Sequence, residues 1–201
     1  MKDFAARLTN TSLSNQFYNC QLFELDSLNQ DVTIIADNAF YNCVSLTADH
    51  ALPYLQTLGN AFNGANNAFA SKTLNLGANS SATSVILPTN TISPAHVNKL
   101  ILGHKYATSL SKSTPDSFTA NYSNITTLDI SAMIRLTSVY YSVLCGFRNA
   151  EIVFNTNTVP ALVGFDPSVE FNGVIKVPAS LLNEWKASDN WNQIADKIQA
   201  A

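Results

Sequence analysis

Four carboxylates, three histidines and three cysteines are the side chains of this 201-residue chain most able to do chemistry. Glu24, Asp26, Asp49 and Asp129 would make a paired-carboxylate glycosidase site or a calcium site if the fold gathered them. Such work needs acids at fixed separations. Spread over several successive segments, these four read instead as solvated groups. His50, His96 and His104 are isolated, and each reads as a surface or loop residue rather than a general base. The chain has no Gly-x-Ser-x-Gly elbow, His-Glu-x-x-His helix, phosphate-binding glycine loop or dinucleotide fingerprint. Nor does it space Cys and His as zinc ligands. We expect a non-enzyme with no catalytic residues, no metal and no cofactor.

The cysteines point to architecture. Cys20 and Cys43 end two copies of one tetrapeptide, Phe17-Tyr18-Asn19-Cys20 and Phe40-Tyr41-Asn42-Cys43, 23 residues apart. A period of about 20–29 residues belongs to stacked repeats, whose units bury their apolar edges against one another. On adjacent rungs the two Cβ vectors run parallel, a poor geometry for a disulfide. Both are therefore expected as buried free thiols, with Ile125 and Ala150 apolar at the matching sites and Cys145 unmatched.

Stepping along the chain, an apolar-x-apolar pair recurs seven times. The pairs are Phe23/Leu25, Leu46/Ala48, Leu74/Leu76, Leu100/Leu102, Leu128/Ile130, Ile152/Phe154 and Ile175/Val177, at steps of 23 to 28 residues. Strand alternation alone requires only a period of two. Each pair reads as a short parallel strand with both members inward, stacked about 4.8 Å from the next. Val32-Thr33-Ile34-Ile35 and Ser84-Val85-Ile86-Leu87 read as the return side. The Phe or Tyr before each strand would be an interior wedge. Asn19, Asn42, Asn124 and Asn149 would stack as an internal amide ladder, leaving no room for a glycan at the Asn124 sequon.

Ile35-Ala36-Asp37-Asn38-Ala39-Phe40-Tyr41-Asn42-Cys43-Val44-Ser45-Leu46-Thr47 resembles the central motif of the BspA-type leucine-rich repeat family, with Ala36 in place of the usual glycine. Val174-Ile175-Lys176-Val177-Pro178-Ala179-Ser180, followed by Trp185-Lys186 and Trp191, resembles that family's closing segment. The family occurs in bacterial surface proteins and some phage-encoded proteins. The resemblance covers roughly residues 12 to 201. It implies an α/β leucine-rich-repeat solenoid and a recognition role, with no catalytic residues to carry over.

The expected organisation is one structural unit. Residues 1–178 form a β-rich solenoid of about seven coils, with a possible N-terminal cap at 1–11, and residues 179–201 form a helical C-terminal cap. Trp191, Ile194, Ala195 and Ile198 follow helical spacing, and Ser180 suits a helix N-cap. Charged residues are only 12% of the chain, replaced by 23 Asn, 20 Ser and 17 Thr. That hydrated, nearly uncharged surface suits an extracellular, cell-surface or virion setting. The net charge of −3 and scattered Lys and Arg argue against nucleic acid. No run approaches the roughly 20 apolar residues of a membrane span, and Met1–Leu8 lacks a secretory stretch. The expected function is adhesion to protein or glycan on a host or partner surface through Glu24, Asp26, Thr47, Asp49, Asn75, Asp129, Ser131 and Lys176. The alternative is a structural subunit of a phage virion, a tail, fibre or capsid decoration touching virion proteins or its own copies. A carbohydrate-active enzyme is the remote third reading.

Overall fold

The computed structural model describes residues 12–15, 17–19, 23–24, 31–39, 46–47, 51–52, 54–58, 73–88, 98–115 and 122–201. The first strands are two residues long: β1 (Ser12–Leu13), β2 (Phe23–Glu24), β3 (Ile34–Ile35), β4 (Leu46–Thr47), β5 (Ala51–Leu52) and β6 (Thr57–Leu58). Longer ones follow: β7 (Thr73–Leu76), β8 (Ser84–Leu87), β9 (Lys99–Leu102), β10 (Ser109–Lys112), β11 (Thr127–Asp129) and β12 (Ser138–Tyr140). Helix α1 (Tyr141–Gly146) precedes β13 (Glu151–Val153), β14 (Ala161–Val163) and β15 (Val174–Val177). Helix α2 (Leu182–Ala187) and β16 (Ile198–Ala200) end the chain.

Every pairing among these strands is parallel. The fold is α/β, rich in short parallel strands and poor in helix. One sheet has seven strands in the order β16-β15-β13-β11-β9-β7-β5, and another has four in the order β14-β12-β10-β8. β1-β3-β6 and β2-β4 make two smaller sheets. From β7 to β15 the chain alternates between the two large sheets, so each strand lies beside the one it reached an alternation earlier.

The registers follow the apolar pairs. Leu74, Leu100, Leu128, Ile152, Ile175 and Ile198 are successive partners in the seven-stranded sheet. All six are at most 1% exposed. Val85, Leu110, Val139 and Leu162 form the matching column of the four-stranded sheet. Both columns belong to one hydrophobic cluster. Burying each such side chain contributes about 1.5–3 kcal/mol. The expected return strands are β3 and β8, at 34–35 and 84–87.

One register differs from expectation. β7 pairs with β5, Ala51 beside Asn75, whereas β4 pairs with β2, Phe23 beside Leu46. The 28-residue step from Leu46 to Leu74 therefore spans two strands. A period-2 pattern admits several alignments within one short segment, and only the backbone pairing selects among them.

Backbone bonds at the corners repeat as well. Thr108 donates its amide and its hydroxyl to the Thr83 carbonyl, at 2.8 and 3.2 Å. Thr137 does the same to Thr108, at 2.8 and 3.0 Å, and the Ala161 amide bonds Thr137 at 2.8 Å. The aromatic turns also match one another. The Phe17 amide donates to Ala39 and the Tyr122 amide to Gly146, each acceptor directly preceding the next aromatic of the series. Tyr122 and Phe147 stack at 4.5 Å in the interior. Tyr122 Oη donates to the Pro88 carbonyl, and burial pushes its phenol pKa above the ordinary value. Phe40 and Cys20 and Cys43 lie outside the described residues.

The internal amide ladder is not what the asparagines make. Asn19, Asn124 and Asn149 are exposed, and Asn19, like Asn15 and Asn38, adopts φ between 55° and 60°. Asn tolerates this left-handed region better than other side-chain-bearing residues. At Asn19 it turns the backbone, and none of Asn19, Asn124 and Asn149 fills the interior. Asn42 lies outside the described residues.

At the C-terminus a 3-10 turn (Ala179–Leu181), α2 and a 3-10 segment (Trp191–Lys197) cover the apolar end. Trp185 and Trp191 are fully buried, 4.6 Å apart and against Phe154. Ser180 is no N-cap: it sits exposed inside the 3-10 turn, and α2 starts from Leu181 without a side-chain cap. Ile198 is a strand residue rather than the last helical position, because β16 adds to β15 and satisfies its edge.

His104 is buried at 3% exposure, contrary to the expected surface placement. Its Nε2–H donates to the Leu55 carbonyl at 2.9 Å, and the ring lies over Gly77. Gly77 has φ +75°, and a Cβ there would overlap the ring, so both the conformation and the close approach require glycine. Burial lowers the His104 pKa, partly opposed by the Leu55 bond. The neutral ring's stabilisation is therefore complete above about pH 6.5 and is lost as pH falls toward the lowered folded value. Urea unfolding should show lower stability at about pH 5 than at pH 7.5, and His104→Asn should flatten that slope. An unchanged slope in the variant would remove His104 as its cause.

Candidate functional site

The outer side of the seven-stranded sheet is the surface that repetition builds most regularly. In β7, β9, β11, β13 and β15 the residue between two buried apolar positions points away from the core, as the half-buried/buried alternation of these segments records. Register places Asn75, Ile101, Asp129, Val153, Lys176 and Gln199 side by side in one row. A second row holds Thr73, Lys99, Thr127, Glu151 and Val174.

Three of the residues expected from sequence thus share one row: Asn75, Asp129 and Lys176. They occupy alternate strands, about 10 Å apart at the usual strand spacing. Ser131 lies just beyond β11 and acts through Asp129, donating its amide and hydroxyl to Oδ1 at 3.1 and 2.7 Å. Glu24 and Thr47 are register partners in the separate β2–β4 sheet. Asp26 and Asp49 lie outside the described residues.

Sequence reasoning, which took polar residues lying between paired apolar positions, missed all of the second row, and Ile101, Val153 and Gln199 in the first. Position alone, one residue before or after the inward leucine, would have found Lys99, Thr127 and Glu151.

The row is largely self-paired electrostatically. Lys99 Nζ lies 3.4 Å from Asp129 Oδ2 on the adjacent strand, and Lys176 Nζ donates to Gln199 Oε1 at 3.0 Å. Burial would raise the Asp129 pKa, but the two Ser131 bonds and the Lys99 ammonium outweigh it and hold the carboxyl below its ordinary value. An ionised, hydrogen-bonded carboxylate accepts hydrogen bonds well and donates protons poorly. A glycosidase acid needs the opposite shift. The partly exposed Lys99 pair contributes no more than about 1 kcal/mol. The face can present a fixed array of donors and acceptors.

A second polar group lies inside. Lys112 continues the inward alternation of β10 opposite Leu87 and is 2% exposed. Burial lowers its pKa, while nearby Cys145 works in the opposite direction. Cys145, on the fully buried helix α1, is a free thiol whose pKa burial pushes up to about 11. At neutral pH it stays protonated and unreactive. Among the described residues no group of three or more His, Cys, Asp or Glu could hold a metal ion. None of their helices is long and apolar enough to cross a membrane.

No protein-family model matches the chain, and no curated protein matches it.

Proposed function

We propose that the chain is a leucine-rich-repeat solenoid of about seven coils that serves as a non-enzymatic recognition or adhesion module. Its strand face would bind a protein or glycan on another surface. The observation that carries this reading is the unbroken row of register partners from Asn75 to Gln199, which offers regularly spaced polar and apolar side chains on a rigid backbone. Stacked repeats present extended surfaces of this kind for binding. The lowered Asp129 pKa favours recognition over proton transfer. The BspA-type resemblance of residues 32–47 and 174–198 points the same way, toward an extracellular, cell-surface or virion setting.

The test is a combined Asn75→Ala, Asp129→Ala, Lys176→Ala variant, assayed by pull-down from surface extracts of candidate host cells and by glycan array. Binding should fall at least tenfold while circular dichroism stays unchanged, since these side chains lie outside the core. Undiminished capture by the triple variant would eliminate the strand face as the binding surface.

A further inference from the structure

A cleft of about 450 Å³ opens between the turn joining β14 to β15 and the C-terminal 3-10 segment. This lies within the roughly 300–1,000 Å³ typical of small-molecule sites. Tyr141 and Phe165 give it an aromatic floor. Glu170, Gln193, Asp196 and Lys197 ring its mouth.

The wall is held in place before any ligand arrives. Asp166 Oδ1 accepts from the Ser168 amide at 2.9 Å and from its hydroxyl at 2.6 Å. These bonds hold the Asp166 carboxyl below its ordinary pKa, so the turn stays locked at neutral pH. From the opposite side Tyr141 Oη donates to the Val169 carbonyl at 2.5 Å, and the Tyr141 and Phe165 rings meet at 4.8 Å. A wall fixed at two points spares a ligand the entropy of ordering it.

We propose that this cleft binds a neutral saccharide, at a site separate from the strand face. A pyranose ring offers an apolar C–H face and a rim of hydroxyls that both donate and accept. Phe165 and Pro167 suit the first. The carboxylates of Glu170 and Asp196 and the Gln193 amide suit the second. Asp196 and Lys197 are paired at 3.0 Å, which leaves Glu170 uncompensated among the four and the mouth net negative. That charge disfavours phosphate and carboxylate ligands. A wholly apolar ligand would strip water from four polar heads without replacing their bonds.

The experiment titrates the ¹⁵N-labelled full chain with the methyl pyranosides of glucose, galactose, mannose and N-acetylglucosamine, up to about 50 mM each. At least one should shift the amides of Ser168, Val169, Gln193 and Lys197 saturably, with a millimolar Kd. Gln193→Ala and Asp196→Ala, both exposed and free of the core, should each weaken it about tenfold and leave the remaining spectrum unchanged. Ile86→Ala, exposed on β8 and outside both the cleft and the strand face, should bind sugar as the native chain does. The proposal is overturned if no pyranoside moves those amides, if the shifts map elsewhere, if both cleft variants bind normally, or if inorganic phosphate moves the same amides more strongly. Each of those results leaves the strand-face reading untouched.

Discussion

Trp191→Ala is expected to lower the unfolding free energy by about 3–5 kcal/mol. It should also turn the C-terminal end of the molecule into a site of self-association. The indole is fully buried against Trp185 and Phe154, so alanine leaves a cavity where two aromatic contacts were. It also does the work of a strand. Trp191 Nε1–H donates to the Pro160 carbonyl at 2.7 Å, and Asn190 Nδ2 to the Leu162 carbonyl at 2.9 Å. Those acceptors lie at β14, the terminal strand of the four-stranded sheet, so two side chains satisfy an edge that a further strand would otherwise pair. The other sheet is closed by backbone, since β16 covers β15. Without the indole, part of the β14 edge stands open, and open edges recruit other chains. The expected fall in Tm is about 6–20 °C, at 2–4 °C per kcal/mol for a chain of this size. Size-exclusion chromatography should show oligomers. Trp191→Phe, which keeps most of the packing but not the bond, should cost about 1 kcal/mol. A Tm shift below about 3 °C with a monomeric alanine variant would mean that the cap does not seal the array.

Leu128→Ala should cost about 2–5 kcal/mol, whereas Val153→Ala, one strand away, should cost less than about 1 kcal/mol. Leu128 is central in the inward column, flanked by Leu100 and Ile152 and fully buried. Val153 is of similar character but points outward, half-exposed, beside Asp129. The comparison therefore isolates direction from hydrophobicity. In urea the alanine at 128 should move the midpoint with little change in slope, because the surface exposed on unfolding is nearly the same. Equal costs at the two positions would contradict the inward–outward assignment on which the proposed binding face depends.

Much of this arrangement was legible in the residues because repetition supplied the register. Leu74, Leu100, Leu128, Ile152 and Ile175 lie side by side at the spacings the apolar pairs suggested. A large apolar residue has one good place in a stacked core, so its recurrence reports position. Asn75, Asp129 and Lys176 followed from the same count, each falling between two inward partners. The aromatic turns Phe17, Tyr122 and Phe147 were readable for the same reason, and all three are buried.

What stayed hidden depended on partners far away in the chain. Ile198-Gln199-Ala200 has no strand signature; it is extended because β15 offers an unpaired edge 23 residues earlier. His104 looked like a loop residue, and only the glycine at 77 and the carbonyl at 55 make room and a bond for it. Lys112 breaks the apolar pattern and still faces inward, since a strand's alternation persists whatever residue occupies it. The threonine corner was visible in principle, as Thr83, Thr108 and Thr137 each precede the serine that opens β8, β10 or β12, but hydroxyls carry no hydrophobic period to draw notice. The asparagines misled because Asn sits exposed at a turn, left-handed at Asn19, as readily as in an internal ladder.

The proposed stacking of coils is open to one direct measurement. Paired spin labels at Asn75→Cys/Lys176→Cys and at Asn75→Cys/Gln199→Cys, with Cys20, Cys43 and Cys145 changed to alanine, report distances by double electron–electron resonance. Four and five strand steps separate the pairs, so backbone separations of about 19 and 24 Å are expected, each giving one narrow distribution offset by the label length. A solenoid requires the distance to grow by one strand spacing from the first pair to the second. Broad distributions, or a second pair no farther apart than the first, would contradict it.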